Sequence, residues 1–317
     1  MGIKISRVNI LGIIAGIVYG LCLRLIMGGY APKFFTVMSI GFVFFCPLVL
    51  GIITVCGVAK PSWSYCIFSP WVPTTIFVAC TGLLGLEGII CIAMALPIFL
   101  FMGSVGGFLA KIFLKIKESR RFYIFTGFLF LPCISSAVES QFVLPAEQRI
   151  VPTQIVINAP ADVVWKNIIR ISKIEPQEQH FSFFHSIGFP RPIEATLSHE
   201  GLGGVRHASF EGGLMFIETI TQWQDKKKLV FSIKANTESI PRTTLDEHVK
   251  IGGDYFDMLE GEYDIEPIGV NQVQLQLSSK QRLSTRFNTY TALWTEAIMR
   301  SIQKYILVII KHRCELT

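Results

Sequence analysis

Apolar runs of bilayer length fill the first 139 residues and then stop, so this one chain must satisfy two solvents. A hydrocarbon core needs roughly 20 consecutive apolar residues for one helical crossing. Runs at 8–27, 35–58 and 122–138 meet or approach that length. The stretch 71–114 is too long for one crossing and barely enough for two. Gly82, Gly85, Glu87 and Gly88 mark a turn within it, giving a short arm at 71–86 and a longer arm at 88–114, where Pro97 predicts a kink. The short first arm leaves a re-entrant segment open; with two crossings there, a helical membrane module of about five spans over 1–139 is expected.

Charge separates the halves in the same place. Up to Glu139 there are ten Lys/Arg against three acids, and the remainder holds 19 basic and 20 acidic residues, so the net charge of +6 belongs to the apolar half. The basic excess reports loops around membrane helices; no basic patch with interleaved aromatics marks the second half, which excludes nucleic-acid binding. Lys4 and Arg7, and the cluster Lys111, Lys115, Lys117, Arg120 and Arg121, should both face the cytoplasm of an inner or plasma membrane. Both conditions hold only if 71–114 crosses twice, which places the C-terminal domain on the extracytoplasmic (periplasmic) side. The first segment lacks a small-x-small cleavage site and is expected to be retained. Gly12, Gly16 and Gly20 form overlapping GxxxG spacings on it, suited to a partner helix within this chain or outside it. Glu87 is the acid inside an apolar run, either functional or a carboxylate at a helix start. Trp63 and Trp71 flank a loop as interface anchors do.

Residues 140–152 read as a polar linker, after which the pattern changes to alternation. A strand at 153–158 is followed by a helix at 163–171 and a weaker helix at 175–186. Strands are then expected at 193–199, 205–211, 214–224, around Leu229, Phe231 and Ile233, at 255–266 and at 270–282. In the last of these Val273, Leu275 and Leu277 oppose Gln272, Gln274 and Gln276, the pattern of a sheet wet on one face. The end of the chain, about 288–311, is one long helix with Tyr290, Trp294, Ile298, Ile302, Tyr305 and Ile309 at helical spacing. The expected architecture over 153–317 is α+β: an antiparallel sheet wrapped on a long C-terminal helix, a helix-grip arrangement.

The strand at 153–158, then Ala159-Pro160 at a helix start, then Val164-Trp165, resembles the opening of the START/Bet v 1/polyketide cyclase (SRPBCC) superfamily. Gly204-Val205-Arg206 and the segment from Phe216 through Glu218 to Ile220 resemble its middle hairpin, and the long last helix its grip helix. The resemblance covers about half the chain. It implies an apolar ligand, a lipid or other hydrophobic small molecule, held between sheet and helix.

Residues expected to line such a cavity are Arg206, Phe210, Glu218, Trp223, Phe231, Tyr263 and Leu275 from the sheet, with Tyr290 and Trp294 from the helix. The competing reading is a filled core with Arg206 and Glu218 on the solvent face, since both middle strands carry apolar residues on each side. His180, His185, His199, His207 and His248 are scattered, without metal-ligand spacing, and each is expected at the surface or in a cap. No GxSxG or phosphate-cradling loop occurs, and no cofactor or metal is expected. Glu260, Glu262, Asp264 and Glu266 share one strand face and are expected to be solvated. Seven of the eight cysteines lie in the apolar half, and Cys314 alone in the other, so no disulfide framework is expected there. Three functions stay open: membrane-anchored binding of an apolar ligand, cyclase- or dehydrase-like catalysis with Glu218 or a histidine as base, and an assembly role through the glycine face.

Overall fold

The computed structural model describes residues 7–30, 35–116, 118–236 and 251–316. It divides into two compact units, Met1–Leu144 and Pro145–Thr317. The first is helical: α1 (Arg7–Leu25), α2 (Cys46–Cys56), α3 (Trp63–Phe68), α4 (Trp71–Leu83), α5 (Ile89–Phe113) and α6 (Glu118–Glu139). Among the described residues three stretches are long and apolar enough to cross a membrane, Asn9–Gly29, Trp63–Leu83 and Ile89–Phe113, beside two shorter apolar helices, Gly41–Cys56 and Tyr123–Glu139. The short arm expected at 71–86 gains length at its start. Ser62 caps α3 by accepting the Tyr65 N–H at 3.1 Å, and α3 runs into α4 through Pro70, whose fixed φ suits a first turn. Trp71 donates from its indole nitrogen to Ser104 at 2.9 Å, and Lys111 lies 4.0 Å over the Trp63 ring.

Arg24, Glu87 and Glu139 are partnered, as low dielectric requires. The buried Arg24 donates to Glu87 at 2.6 Å and to the Leu86 carbonyl at 2.5 Å, tying α1 to the α4–α5 turn. Glu139 accepts the backbone N–H groups of Ile40 and Gly41 at 2.9 and 3.0 Å, which satisfies orphan donors at the start of a helical segment. The glycine stripe of α1 is filled from within: a Cβ at Gly12 would lie 2.9 Å from the Thr54 carbonyl of α2, and one at Gly20 would lie 2.9 Å from the Phe77 ring of α4. That is the intramolecular alternative of the two given by the spacing.

The second unit is a seven-stranded antiparallel sheet in the order β1-β7-β6-β5-β4-β3-β2. Its strands are β1 (Glu147–Ile157), β2 (Pro192–Leu197), β3 (Val205–Phe210), β4 (Met215–Gln224), β5 (Lys228–Asn236), β6 (Phe256–Gly269) and β7 (Gln272–Leu283). Helices α7 (Ala161–Ile169) and α8 (Phe183–Ser186) precede β2, and α9 (Asn288–Glu315) ends the chain. This is the helix-grip arrangement that the alternation and the long last helix imply. Bulges between Ile220 and Gln222 and between Met258 and Glu260 help to curl the sheet.

Several boundaries differ from expectation, three of them for a reason visible in the contacts. The strand read at 153–158 begins at Glu147, because residues 147–152 pair with 278–283 of β7, and so half of the expected linker is sheet. Pro152 is tolerated since β1 is an edge strand. The helix read at 163–171 is displaced to Ala161–Ile169, and Ile171 instead bridges to Ala195. The helix read at 175–186 is broken. A capping box between Glu175 and Glu178 closes a single 3-10 turn, Pro176–Glu178, extended backbone follows, and only Phe183–Ser186 is helical.

Both sheet edges are covered, which removes templates for further pairing. Along β1, side chains of α9 take the free carbonyls: Gln303 on Val151 (2.9 Å), Arg300 on Pro152 (3.3 Å) and Lys311 on Val156 (2.9 Å). Along β2, Ile171 and Ile174 supply the backbone bonds. On the outer face Lys228 bridges Glu262 (2.9 Å) and Asp264 (3.5 Å) of the acidic row. The concave face carries Ile157, Leu229, Phe231, Tyr263, Ile265, Leu275 and Leu277, and packs with α7 and with Tyr305, Ile309 and Ile310 of α9. Burying each large apolar side chain there contributes about 1.5–3 kcal/mol.

Candidate ligand site

Strand register settles the ambiguity of β3 and β4. Arg206 stands directly opposite Glu218, and both point into the concave face, at 2% and 7% exposure. The solvent-face reading of these two residues is therefore wrong. An Arg206 Nη1 donates to Glu218 Oε2 at 2.8 Å. The guanidinium carbon lies 5.3 Å from the Phe231 ring centre and 5.8 Å from that of Tyr263, so aromatic faces supply further cation stabilisation. Room for the Phe231 ring comes from Gly261, where any Cβ would meet that ring at 2.4 Å. Arg206 Nε is buried with no hydrogen-bond partner among the described residues.

The electrostatics follow from burial. Burial pushes the Glu218 carboxyl above the usual carboxylate range, with Arg206 opposing. Burial also works against the Arg206 cation, but Glu218 and Tyr263 outweigh it and raise its pKa further. Burial raises the Tyr263 phenol as well. Three polar side chains thus share one water-poor interior.

Most of the expected lining residues meet in this core. Phe210 packs edge-on to Phe216 (5.3 Å) and the half-buried Trp223 edge-on to Trp165 of α7 (5.0 Å), while Leu275 is fully buried. Tyr290 and Trp294 stand apart: both are half-buried, interact with each other, and are absent from the cluster that holds Phe231, Tyr263 and Leu275. The buried face of α9 near that cluster instead begins further along, at Tyr305. A recess of about 270 Å³ lies on the outer face, between Ile150, Glu260, Glu262, Gln276, Ser278 and Lys280, away from these side chains.

A polar seam runs between α9 and strands β1 and β7. The buried Gln303 of α9 accepts from Thr153 (2.6 Å) and donates to Ser279 (2.9 Å), and the fully buried Gln281 donates to Thr295 (3.1 Å). Continuing the period-two pattern of β7 past Leu277 would have turned Ser279 and Gln281 inward. Two histidines expected at the surface or in caps also moved. His185 is buried, and it and His180 converge on Tyr305, with ring centres at 4.7 and 4.2 Å. His248 lies outside the described residues. No group of three or more metal-ligating side chains occurs among the described residues.

No family model matches the sequence, and no curated protein matches it. Solved structures similar to the second unit include a START superfamily protein from Mycobacterium smegmatis (11% identity, 53% of this chain and 99% of that one, TM-score 0.35). Others are an aromatase/cyclase from a Streptomyces species (14%, 53% and 94%, TM-score 0.33) and a norcoclaurine synthase from Thalictrum flavum (11%, 52% and 97%, TM-score 0.29).

Proposed function

We propose that the chain is a membrane-anchored binder of a lipid or other hydrophobic small molecule, held between the sheet and α9. The observation that carries the reading is the buried Arg206–Glu218 pair, with its spare Nε donor, set in an otherwise apolar concave face. Ligand sites combine apolar walls with a few convergent polar groups in this way. The helices of the first unit would hold the site near a bilayer, so that ligand and site meet at high local concentration. By the loop-charge rule the second unit faces the extracytoplasmic side.

Photolabelling tests this. A lipid analogue with a diazirine on its acyl chain is added to the full chain in vesicles, and labelled peptides are mapped by mass spectrometry. Label on β4–β7 peptides carrying Trp223, Tyr263 or Leu275, displaced by unlabelled lipid extract, is expected. Label confined to 7–139 would contradict the reading.

A second reading, proton transfer on an apolar substrate, is favoured by the raised pKa of Glu218. It separates from the first through Glu218→Gln, which removes the base and keeps a side chain of the same shape beside Arg206 at a cost in stability, with retained labelling reporting that the fold persists. Labelling kept with turnover lost supports catalysis; turnover kept removes it.

A further inference from the structure

The segment between α7 and β2 lies across α9 as a strap, and its two ends are fastened differently from its middle. At one end Arg313 of α9 grips Glu178 (2.5 and 2.7 Å) and the carbonyls of Ser172 and Lys173 (both 3.0 Å). At the other end the Arg191 backbone N–H donates to Glu211 at 3.2 Å. Between them the contacts with α9 include a Ser182–Ser301 hydroxyl contact at 3.2 Å and two imidazoles set on one phenol ring. His180 stacks on Tyr305 at an interplanar angle of 23°, and His185 meets it edge-on at 72°. Tyr305 is 1% exposed and belongs to the same core as Phe231 and Tyr263, so this is the floor under the strap. On its outer side Phe181 stands 82% exposed.

Hydrogen bonding fixes the tautomer of the neutral His185 ring. Its Nδ1 lies 3.0 Å from the Phe189 carbonyl, which can only accept, so Nδ1 carries the proton. Nε2 is then the lone-pair atom, and it is buried without a partner among the described residues. A proton added there would make a buried N–H with nothing to receive it. The charged groups around the pair are Arg191 at the β2 entry, Glu211 in the turn between β3 and β4, Lys304 on α9 and each other; Glu178 is engaged by Arg313. Two cations against one carboxylate is a poor setting for two further positive charges.

We propose that His180, His185 and Tyr305 form an acid-released latch that closes the strap over the interior of the second unit at neutral pH and frees it when the imidazoles are protonated. Opening of the strap does not depend on a ligand, but its consequence, ligand entry and exit, rests on the function proposed above. Burial lowers the pKa of both imidazoles in the closed state. Closure therefore has its full stability above the ordinary histidine pKa of about 6.5, and loses it as pH falls below that value toward the lower closed-state values. Glu178 works in a separate window, since Arg313 holds its carboxyl below the usual range.

Hydrogen exchange on the full chain in nanodiscs, without added ligand, reads the strap directly. Peptides spanning 176–189 are compared at pH 7.5 and 5.5 after correction for the intrinsic pH dependence of exchange. Wild type should open about tenfold more often at pH 5.5, while β6 and β7 peptides stay protected. His180→Gln with His185→Gln should remove the pH dependence, whether the strap then rests closed or open. Glu178→Gln should leave it in place. Equal protection of the strap at both pH values in wild type overturns the latch, and does so whether or not the interior binds lipid.

Discussion

Arg206 and Glu218 make the heaviest demand on their surroundings, because each charge is removed from water and held chiefly by the other. Removing one partner of such a pair strands the second and costs about 3–5 kcal/mol, whereas replacing both by apolar groups of similar volume is often neutral or better. Arg206→Met and Glu218→Leu should each lower the unfolding transition of the second unit markedly, followed by near-ultraviolet circular dichroism, while the double variant loses less than either single one. Singles that unfold like wild type would mean that the pair is not buried as described. The residue types of this pair could be read from the sequence, but not their direction: both strands carry apolar side chains on each face, and only the register of β3 against β4 decides. Tyr290 and Trp294 fit the helical spacing of α9 yet lie outside the cluster around Arg206. The convergence of His180 and His185 on Tyr305 spans some 120 residues of chain and leaves no local signal.

Elements were legible where a period runs long. The alternation of β7 and the helical spacing of α9 specify both and the layer between them. Boundaries failed where a tertiary partner decides: β7 extends β1 into a Pro-containing stretch, and Arg313 at the far end of α9 holds Glu178 in a single turn where a helix was expected. In the first unit, Ser62 and Pro70 add α3 to α4 and make a 21-residue apolar stretch, Trp63–Leu83, from an arm that looked short. That length supports a full crossing there. With Gly41–Cys56 and Tyr123–Glu139 also crossing, the chain would traverse five times, and the basic clusters near Lys4 and at 111–121 would share one side. An alkaline phosphatase fused after Thr317 should then be active in a bacterial host, since that enzyme works only once exported. An inactive fusion that is stably made would place the C-terminus in the cytoplasm and remove one crossing from the count.

At the scale of the molecule, hydropathy and charge divided the chain near residue 140, and the contacts divide it at Leu144. In the first unit Arg24 is paired with Glu87, and Gly12 and Gly20 of α1 lie against α2 and α4. The second unit covers both sheet edges and concentrates its buried polarity on the concave face, around Arg206, Gln281 and Gln303. Uptake of an apolar molecule by this interior is read by native mass spectrometry of the full chain, released gently from detergent. Wild type should carry an added mass of lipid size that denaturation releases, and Leu275→Trp, which sets a larger ring at a fully buried position of the concave face, should lose it while keeping its near-ultraviolet circular dichroism. A mass equal to the bare chain, unchanged after incubation with lipid extract, would contradict such uptake.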